Sequence, residues 1–441
     1  MRAQRRVDPR RGPLSVSVRA GILVTGTEVI TARITDRNGP WISQRLGELG
    51  IEVAHILTVA DRPEDLEAGL AFMAGEGCEL IVTSGGLGPT ADDLTAEIVA
   101  RFAGVGMSLD EDMERKIARI LAAFARRLRF DPEALRVANR KQAMVPDGAE
   151  TIDPAGTAPG LVLAIDGGPT VIVLPGPPRE LHAMWEPALA TTGAQAVLER
   201  AEAYRGQTVR LFGIPESEIA KTLREIEADV ELAQLEITTC LRRGELEVDI
   251  RHRPGAEQAR EALVAGIVGR HGRFVFSTDG MTIDEQVGEL LRDRRRIALA
   301  ESCTAGQLAA RVAEPPGASS YLAGGIVAYS NEAKVELLGV PAALIEEHGA
   351  VSPGVAEAMA DGAIARFDAD LAVGITGIAG PDGGTEEKPV GYVCVCAKVA
   401  DGPMIARDPV IPGDRVEIKD RSCTLALHLL RRLLRGEEFP L

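Results

Sequence analysis

The sequence predicts an α/β protein in which two layered α/β domains are joined by a small α+β module. Buried strand-like runs alternate with helical stretches in both the first and the last parts of the chain. In each part a strand runs into a glycine-rich loop, at residues 84–90 and 377–384. The chain has 441 residues, of which 45% are hydrophobic and only 3% aromatic. It is therefore too long for one core, and its cores must consist of Ala, Val, Leu and Ile.

Four segments follow from these patterns. Residues 1–16 are basic and non-periodic, and we expect a disordered tail. We assign 17–200 to the first α/β domain, 201–280 to the α+β module and 281–441 to the last α/β domain.

The first domain shows strand and helix patterns in alternation, which predicts a parallel sheet covered on both faces. The predicted strands are 18–24, 51–59, 79–83 and 170–174, and the predicted helices are 40–49, 63–74 and 109–128.

The last domain repeats this alternation and ends in a leucine-bearing helix that Gly436 stops. The predicted strands are 296–300, 325–328, 371–375 and 390–397, and the predicted helices are 284–291, 305–312 and 416–435.

Charge and composition exclude several classes of function. The formal net charge is −16, which disfavours nucleic acid or an anionic membrane as the main partner. The six cysteines form no Cys-x-x-Cys pair, and no apolar run has the length of a membrane span or resembles a secretory signal. We therefore expect a cytoplasmic protein with reduced thiols that acts on small molecules.

A serine and a lysine stand out in the last domain. Ser302 lies in the run Ala-Glu-Ser-Cys-Thr-Ala-Gly directly after an apolar strand. There the first N–H groups of a helix can hold an anion or an oxyanion. Lys334 follows the next strand, and desolvation in a pocket would lower its pKa enough for a base. Alternatively, Ser302 is a helix N-cap and Lys334 a surface lysine.

Other polar residues follow neighbouring strands. Tyr329 and Asn331 come after the strand 325–328, and Thr376 follows the strand 371–375. Carboxyl ends of strands are where α/β sheets bind ligands. Arg415, before the last helix, would clamp a phosphate, or else would pair with Asp414.

The glycine loop of the first domain ends in Thr90, Ala91, Asp92 and Asp93. Two adjacent carboxylates after a phosphate-cradling loop suit a divalent metal. They equally suit the first turn of a helix, and both interpretations stay open.

From about Arg19 to near its C-terminus, the chain resembles CinA-type proteins. The first domain is similar to the molybdopterin-binding fold, and the last to nicotinamide-mononucleotide amidases. In the first domain, the motifs that support this resemblance are Thr83–Thr95 with Asp36, Asn38, Asn139, Lys141 and Gly156–Gly160. In the last domain, they are Ala300–Thr304, Tyr329–Asn331, Lys334, Thr376–Pro381, Lys388–Gly391 and Gly413–Arg415.

For the last domain, the resemblance implies hydrolysis of the carboxamide of nicotinamide mononucleotide to nicotinate mononucleotide and ammonia, with no cofactor. Ser302 would be the nucleophile and Lys334 its base, with Tyr329 and Thr376 orienting them or donating to the oxyanion. Backbone N–H groups after Ser302 would also hold the oxyanion, and Arg415 the phosphate. The further substrate-binding residues would be Cys303, Thr304, Asn331, Gly377 and Gly380.

For the first domain, the resemblance implies a nucleotide or pterin site, metal-dependent ADP-ribose pyrophosphatase activity as an alternative, and a homodimer. Two departures from the family pattern weaken the inference of pyrophosphatase activity. Thr27 stands where the family has an acid, and Asp153 stands where the family has asparagine. The implied site consists of Asn38, Gly85, Gly86, Gly88, Thr90 and Lys141, with Asp92 and Asp93 as metal ligands.

Overall fold

The computed structural model describes residues 18–90, 92–125, 132–201, 205–228, 230–292 and 295–437. The tail predicted at 1–16 lies outside the described residues. The chain forms two compact units. The first contains the described residues up to Arg205 together with His252–Gly255, and the second contains Gly206–Arg251 and the described residues from Ala256 onward.

The first unit is an α/β structure built around one large sheet. In chain order its elements are β1 (Arg19–Thr25), α1 (Thr27–Ile30), α2 (Asn38–Glu48), β2 (Glu52–Val59), α3 (Pro63–Gly75), β3 (Leu80–Ser84), α4 (Thr95–Ala103), β4 (Met107–Leu109), α5 (Glu111–Ala125), α6 (Pro132–Gln142), β5 (Met144–Pro146), β6 (Glu150–Ile152), β7 (Gly160–Ala164), β8 (Thr170–Leu174), α7 (Pro178–Leu189) and α8 (Thr192–Leu198).

The large sheet has the strand order β2-β1-β3-β8-β7-β6. β1, β2, β3 and β8 are parallel to one another, as the sequence predicts. β7 is antiparallel to both of its neighbours, β8 and β6. The prediction of a wholly parallel sheet is therefore wrong at one edge. The reason is the short connection 165–169 between β7 and β8, because a parallel crossover needs about a dozen residues or more.

The second unit begins with an α+β arrangement. A four-stranded sheet of order β10-β11-β9-β12 packs with two helices around one apolar cluster. Its elements are β9 (Arg205–Phe212), α9 (Glu216–Ile226), β10 (Leu235–Arg242), β11 (Glu245–His252), α10 (Glu257–His271) and β12 (Val275–Ser277).

The rest of the second unit is a second α/β layer structure. Its sheet has the order β14-β13-β15-β16-β17. Its elements are α11 (Ile283–Leu291), β13 (Ile297–Glu301), α12 (Gln307–Ala313), β14 (Leu322–Val327), α13 (Asn331–Leu338), α14 (Ala342–His348), α15 (Pro353–Phe367), β15 (Leu371–Gly377), β16 (Val393–Val399), β17 (Met404–Arg407) and α16 (Arg415–Arg435).

The central strand of this sheet separates two cores. Along β13, Ile297 and Leu299 join the cluster with α11, α12 and α16, while Ala298 and Ala300 join the cluster with α13, α14 and α15. This alternation is the period-two pattern of a strand buried on both faces. β13, β14 and β15 are parallel, so their carboxyl ends meet at one edge. β16 is antiparallel to β15, and β17 is antiparallel to β16, so this sheet is mixed.

Several predicted boundaries in this part of the chain differ from the structure; for example, β14 begins at Leu322 and not at residue 325. α12 begins at Gln307 and not at residue 305, because Ala305 and Gly306 have φ values of 53° and 91° and cannot belong to the helix. The strand predicted at 390–397 is β16, which begins at Val393. In the part of the chain that the structure describes, no helix is both long enough and apolar enough to cross a membrane.

Candidate active site

The serine and lysine selected from the sequence meet at the edge formed by β13 and β14. The Lys334 Nζ donates a hydrogen bond to the Ser302 Oγ at 3.0 Å. Ser302 follows the last residue of β13, and Lys334 lies in the first turn of α13. Ser302 is 7% exposed and Lys334 only 2%. The two side chains therefore form a buried pair in direct contact.

The surroundings of Lys334 make its charged form less favourable than in an exposed lysine. Burial lowers the pKa of its ammonium from the ordinary value. The Nζ also donates to the Tyr329 carbonyl at 3.2 Å. Among the described residues, no Asp or Glu side chain lies within ion-pair distance of this Nζ. A desolvated amine that touches a hydroxyl can accept its proton.

The thiol beside the serine is unsuited to act as the nucleophile. Burial raises the pKa of Cys303 to about 12, so the thiol stays protonated at neutral pH. The Cys303 Sγ packs against the end of β15, where a Cβ on Gly377 would lie 3.1 Å from it and 2.8 Å from a Val393 methyl. Gly377 is therefore required for this close packing, and Ser302 remains the nucleophile candidate.

The segment after Ser302 is a turn and not the start of a helix. The Ser302 N–H donates to the Ile375 carbonyl at 2.9 Å, and the Ser302 carbonyl accepts from the Ala305 N–H at 3.1 Å. Apart from the Cys303 thiol, which interacts with the N–H of its own residue, no described residue accepts a hydrogen bond from the backbone N–H groups of Cys303 and Thr304. The Thr304 hydroxyl is buried and also has no partner among the described residues. Ser302 is consequently not the helix N-cap that its sequence position also allowed.

Tyr329 and Thr376 lie at the predicted strand ends, but their hydroxyls make other contacts. The Thr376 Oγ1 donates to the Ala350 carbonyl at 2.8 Å. The Tyr329 hydroxyl accepts from the Arg415 Nη2 at 2.8 Å, and only its carbonyl contacts Lys334. Neither hydroxyl is hydrogen-bonded to the serine–lysine pair.

Arg415, the first residue of α16, contacts Tyr329 beside this site. Its Nη1 donates to the carbonyl of Gly380 at 2.7 Å, so the guanidinium joins the glycine loop to Tyr329. Asp414 caps the backbone of α16, so the alternative of an Arg415–Asp414 ion pair is wrong. Asn331 is exposed in the first turn of α13.

Two charged residues near the site were not assigned from the sequence. Glu301 accepts three backbone hydrogen bonds from α12 and the turn before it. Lys419 lies one helical turn after Arg415, and its charge opposes the rise of the Cys303 pKa. No described residue forms an ion pair or hydrogen bond with the Lys419 side chain. The i, i+4 spacing of two cations on α16 was the signal that could have identified Lys419.

Comparison with known proteins gives matches along nearly the whole chain. A family model described as "CinA C-terminal domain" matches residues 281–434, and one described as "Probable molybdopterin binding domain" matches residues 21–194. A "CinA-like protein" of Mycobacterium sp. (strain JLS) is 58% identical over 421 residues, which cover 95% of this chain and 99% of that protein. The chain belongs to the CinA family. A "CinA-like protein" of Mycobacterium tuberculosis (strain H37Ra) is 55% identical over 428 residues, covering 96% of this chain and 99% of that protein.

Solved structures of CinA proteins match one part of the chain. The "competence/damage inducible protein CihA" from Agrobacterium tumefaciens is 36% identical and covers 36% of this chain and 99% of its own, with a TM-score of 0.34. A "protein CinA with unknown function" from Thermoplasma acidophilum is 33% identical and covers 39% of this chain and 95% of its own, also with a TM-score of 0.34.

The first unit of this CinA-family chain gathers predicted residues at the ends of β3 and β8. The Asn38 Nδ2 donates to the Ser84 Oγ at 2.8 Å and to the Gly176 carbonyl at 2.7 Å. The Asn38 Oδ1 is buried and has no partner among the described residues. The backbone packs closely here, since a Cβ on Gly85 would lie 2.4 Å from the Thr25 carbonyl oxygen. Gly86 and Gly88 continue the same loop.

The carboxylates predicted as metal ligands make contacts within their own loop. The Thr90 hydroxyl donates to Asp92 and, at 2.5 Å, to Asp93, and the Thr90 N–H donates to Asp93 at 2.8 Å. The hydrogen bond from Thr90 lowers the pKa of Asp92. Lys141 donates to the Thr90 carbonyl. Within the described ranges, no group of three His, Cys, Asp or Glu side chains could hold a metal ion. A metal ion at Asp92 and Asp93 would therefore need ligands from the substrate or from water in addition to these carboxylates. The helix alternative is wrong, since α4 begins at Thr95.

The two departures from the family pattern have structural partners. Thr27 stands where the family has an acid, and its N–H and hydroxyl donate to Asp61 at 2.8 Å and 3.0 Å. The Asp61 carboxylate thus lies next to the position of the missing acid. Asp153 pairs with Lys116.

Proposed function

We propose that the second unit hydrolyses the carboxamide of nicotinamide mononucleotide to nicotinate mononucleotide and ammonia. The observation that supports this most is the buried contact of 3.0 Å between the Lys334 Nζ and the Ser302 Oγ. The choice of substrate follows from the motifs shared with nicotinamide-mononucleotide amidases.

The first half of the reaction would release ammonia. The Ser302 Oγ attacks the carboxamide carbon while its proton moves to the neutral Lys334 amine, and the carbonyl electron pair moves to oxygen. The Lys334 ammonium then gives its proton to the nitrogen of the tetrahedral intermediate. As the carbonyl re-forms, the C–N bond breaks, and the protonated nitrogen departs as ammonia and leaves an ester on Ser302.

The second half would restore the enzyme. Water attacks the ester carbon and gives its proton to Lys334, and the bond from carbon to the Ser302 oxygen then breaks. The Ser302 oxygen regains this proton from Lys334. The carboxylic acid so formed loses its remaining proton to solvent and leaves as a carboxylate. Arg415 and Lys419 supply positive charge for the phosphate of the substrate.

The test is ammonia release by the purified full chain. We expect Ser302→Ala to lower kcat by at least about 10³-fold without a change in folding. Ser320→Ala, at an exposed serine in the same unit, is the matched control and should match wild type. Activity should persist in a chelator because no step uses a metal. Unchanged turnover in Ser302→Ala would refute the assignment.

For the first unit, we propose binding of a nucleotide or pterin without catalysis. The supporting observation is the buried Asn38 Oδ1 without a donor, which a ligand N–H can satisfy. Diphosphate hydrolysis that uses Asp92 and Asp93 is the alternative for this unit. Equilibrium binding of ADP-ribose without turnover would support this proposal, and metal-dependent hydrolysis of ADP-ribose would refute it.

A further inference from the structure

Glu301, the last residue of β13, carries a carboxylate that is almost completely buried. Its residue exposure is 1%. Its Oε2 accepts from the N–H groups of Gly306 at 2.9 Å and Leu308 at 3.0 Å, and its Oε1 accepts from Ala309 at 2.8 Å. Among the described residues, no Lys, Arg or His forms an ion pair with Glu301. The buried charge is therefore compensated by peptide N–H groups at the start of α12.

This contact changes where an oxyanion can bind. The sequence alone places the oxyanion at the N-terminus of the helix after Ser302, but Glu301 already occupies those N–H groups. In this turn, the backbone N–H groups that have no acceptor on another described residue are those of Cys303 and Thr304, which precede the helix. They belong to the two residues directly after the nucleophile.

The turn that presents these two groups has an unfavourable backbone. Ala305 has a φ of 53°, in the left-handed region that residues with a Cβ avoid. The Glu301 Oε2 bonds the next N–H, that of Gly306, and so fixes the peptide on the far side of Ala305. The other end of the turn is held by the Ser302 N–H, which donates to the Ile375 carbonyl at 2.9 Å.

We propose that Glu301 is a positioning residue that holds the turn 302–306 in the conformation in which the Cys303 and Thr304 N–H groups bind the oxyanion. This inference rests on the proposed amidase function. When the Ser302 Oγ adds to the carboxamide carbon, negative charge forms on the carbonyl oxygen, and two fixed N–H donors stabilise it. A small displacement of the turn weakens this contact in the transition state more than it weakens substrate binding.

The decisive variant is Glu301→Gln, which keeps the size of the side chain but replaces one acceptor oxygen with a donor group. We expect kcat for nicotinamide mononucleotide to fall about 10²-fold while KM changes by less than about threefold. The matched control is Glu150→Gln in the first unit, because Glu150 also caps a helix through the N–H groups of Thr192 and Gly193 at 3.0 Å and 2.8 Å. The control should lower the melting temperature but leave kcat unchanged.

A second measurement does not depend on activity. Hydrogen exchange of peptides that cover residues 302–309 should become faster in Glu301→Gln than in wild type. If this variant does not fold, Glu301→Asp keeps the charge, withdraws the carboxylate by one methylene group and should show the same loss of kcat at nearly constant KM.

The outcomes separate the two proposals. A wild-type chain that releases no ammonia refutes the amidase function, while the exchange data still report on the turn. An active wild type whose Glu301→Gln variant keeps kcat within about threefold refutes the positioning role. Unchanged exchange over residues 302–309 refutes it as well.

Discussion

At the scale of single residues, the proposed hydrolysis depends on the protonation state of Lys334. Its ammonium is buried and has no acidic partner within ion-pair distance among the described residues. Burial disfavours the charged form, so the pKa of Lys334 lies below the ordinary value of 10.5. The neutral amine required of a base is therefore populated at a lower pH than in an exposed lysine.

This predicts the direction of the pH dependence. As the pH rises through the lowered pKa of Lys334, kcat/KM should rise, because the fraction of neutral amine increases. Lys334→Arg should lose at least about 10²-fold in kcat, since a guanidinium keeps its proton. Steady-state ammonia release from pH 5 to 10 is the measurement.

The control is Lys398→Arg. Lys398 is ion-paired with Glu357 and Asp361 at 2.9 Å each. It makes no hydrogen bond to Ser302 or Lys334. Its variant should keep the wild-type pH profile. A rate that is independent of pH in wild type would contradict the role of Lys334 as a base.

The sequence predicted which residues lie at this site, but it did not predict the hydrogen-bond partners of the Tyr329 and Thr376 hydroxyls. The positions of Ser302 and Lys334 after neighbouring strands sufficed to predict their contact. The hydroxyls of Tyr329 and Thr376 instead bond Arg415 and Ala350. Those partners lie 86 and 26 residues away along the chain, so no local pattern indicates them.

At the scale of elements, the capping of α16 sets the position of Arg415. Asp414 accepts from the N–H groups of Val416 and Glu417 at 2.8 Å and 2.9 Å, and the Glu417 carboxylate accepts from the Asp414 N–H at 3.0 Å. This reciprocal capping box fixes the first turn of the helix, to which Arg415 belongs.

We expect Asp414→Ala to destabilise the protein by about 1 kcal/mol, the usual effect of losing an N-cap. Because the guanidinium of Arg415 is displaced with the first turn, KM for nicotinamide mononucleotide should rise about fivefold. Thermal unfolding and steady-state kinetics are the two measurements.

The matched control is Thr282→Ala, which removes the capping box of α11 in the same unit. It should cause a similar loss of stability with an unchanged KM. An equal rise of KM in both variants would show that Asp414 acts through general stability alone.

The sequence analysis placed the start of α12 at residue 305, two residues before its true start at Gln307. A pattern of apolar residues does not reveal that Glu301, on the preceding strand, bonds N–H groups up to eight residues later. Capping by a strand residue depends on how the strand and the helix pack, which periodicity does not encode.

At the scale of the second unit, a buried pair joins its α+β part to its last helix. The His428 Nε2 lies 2.7 Å from the Glu245 Oε1, and the two residues are 1% and 6% exposed. The imidazole stacks on Phe212 with ring centroids 3.8 Å apart. Burial raises the pKa of Glu245 to about 7 and lowers that of His428 well below its usual value. At mildly acidic pH the Glu245 carboxyl is therefore protonated and the His428 imidazole is neutral, so the pair carries no net charge.

The raised pKa predicts a stability that falls as the pH rises. Glu245 binds its proton more tightly in the folded state than in the unfolded chain, where its pKa is about 4.5. Its stabilising contribution is complete below that value and is lost as the pH rises to about 7. Between pH 5.5 and 8.5 this loss is about 2 kcal/mol.

Glu245→Gln removes the titrating group but keeps a polar partner for His428. Relative to this variant, wild type should lose stability between pH 5.5 and pH 8.5, measured as the midpoint of urea unfolding of the full chain. A constant difference between the two proteins over this range would contradict the prediction. His428 contributes equally to both proteins, so its own titration cancels in the comparison.

The sequence by itself determined the α/β class, the family and the serine and lysine that meet at the candidate site, because strand periodicity and short motifs are local properties. Only the tertiary structure decided the antiparallel edge strands, the occupied start of α12 and the absence of a three-ligand metal cluster among the described residues. Each of these depends on which distant backbone or side-chain groups satisfy a buried polar atom. That choice is made by packing, which brings residues far apart in the chain within hydrogen-bonding distance.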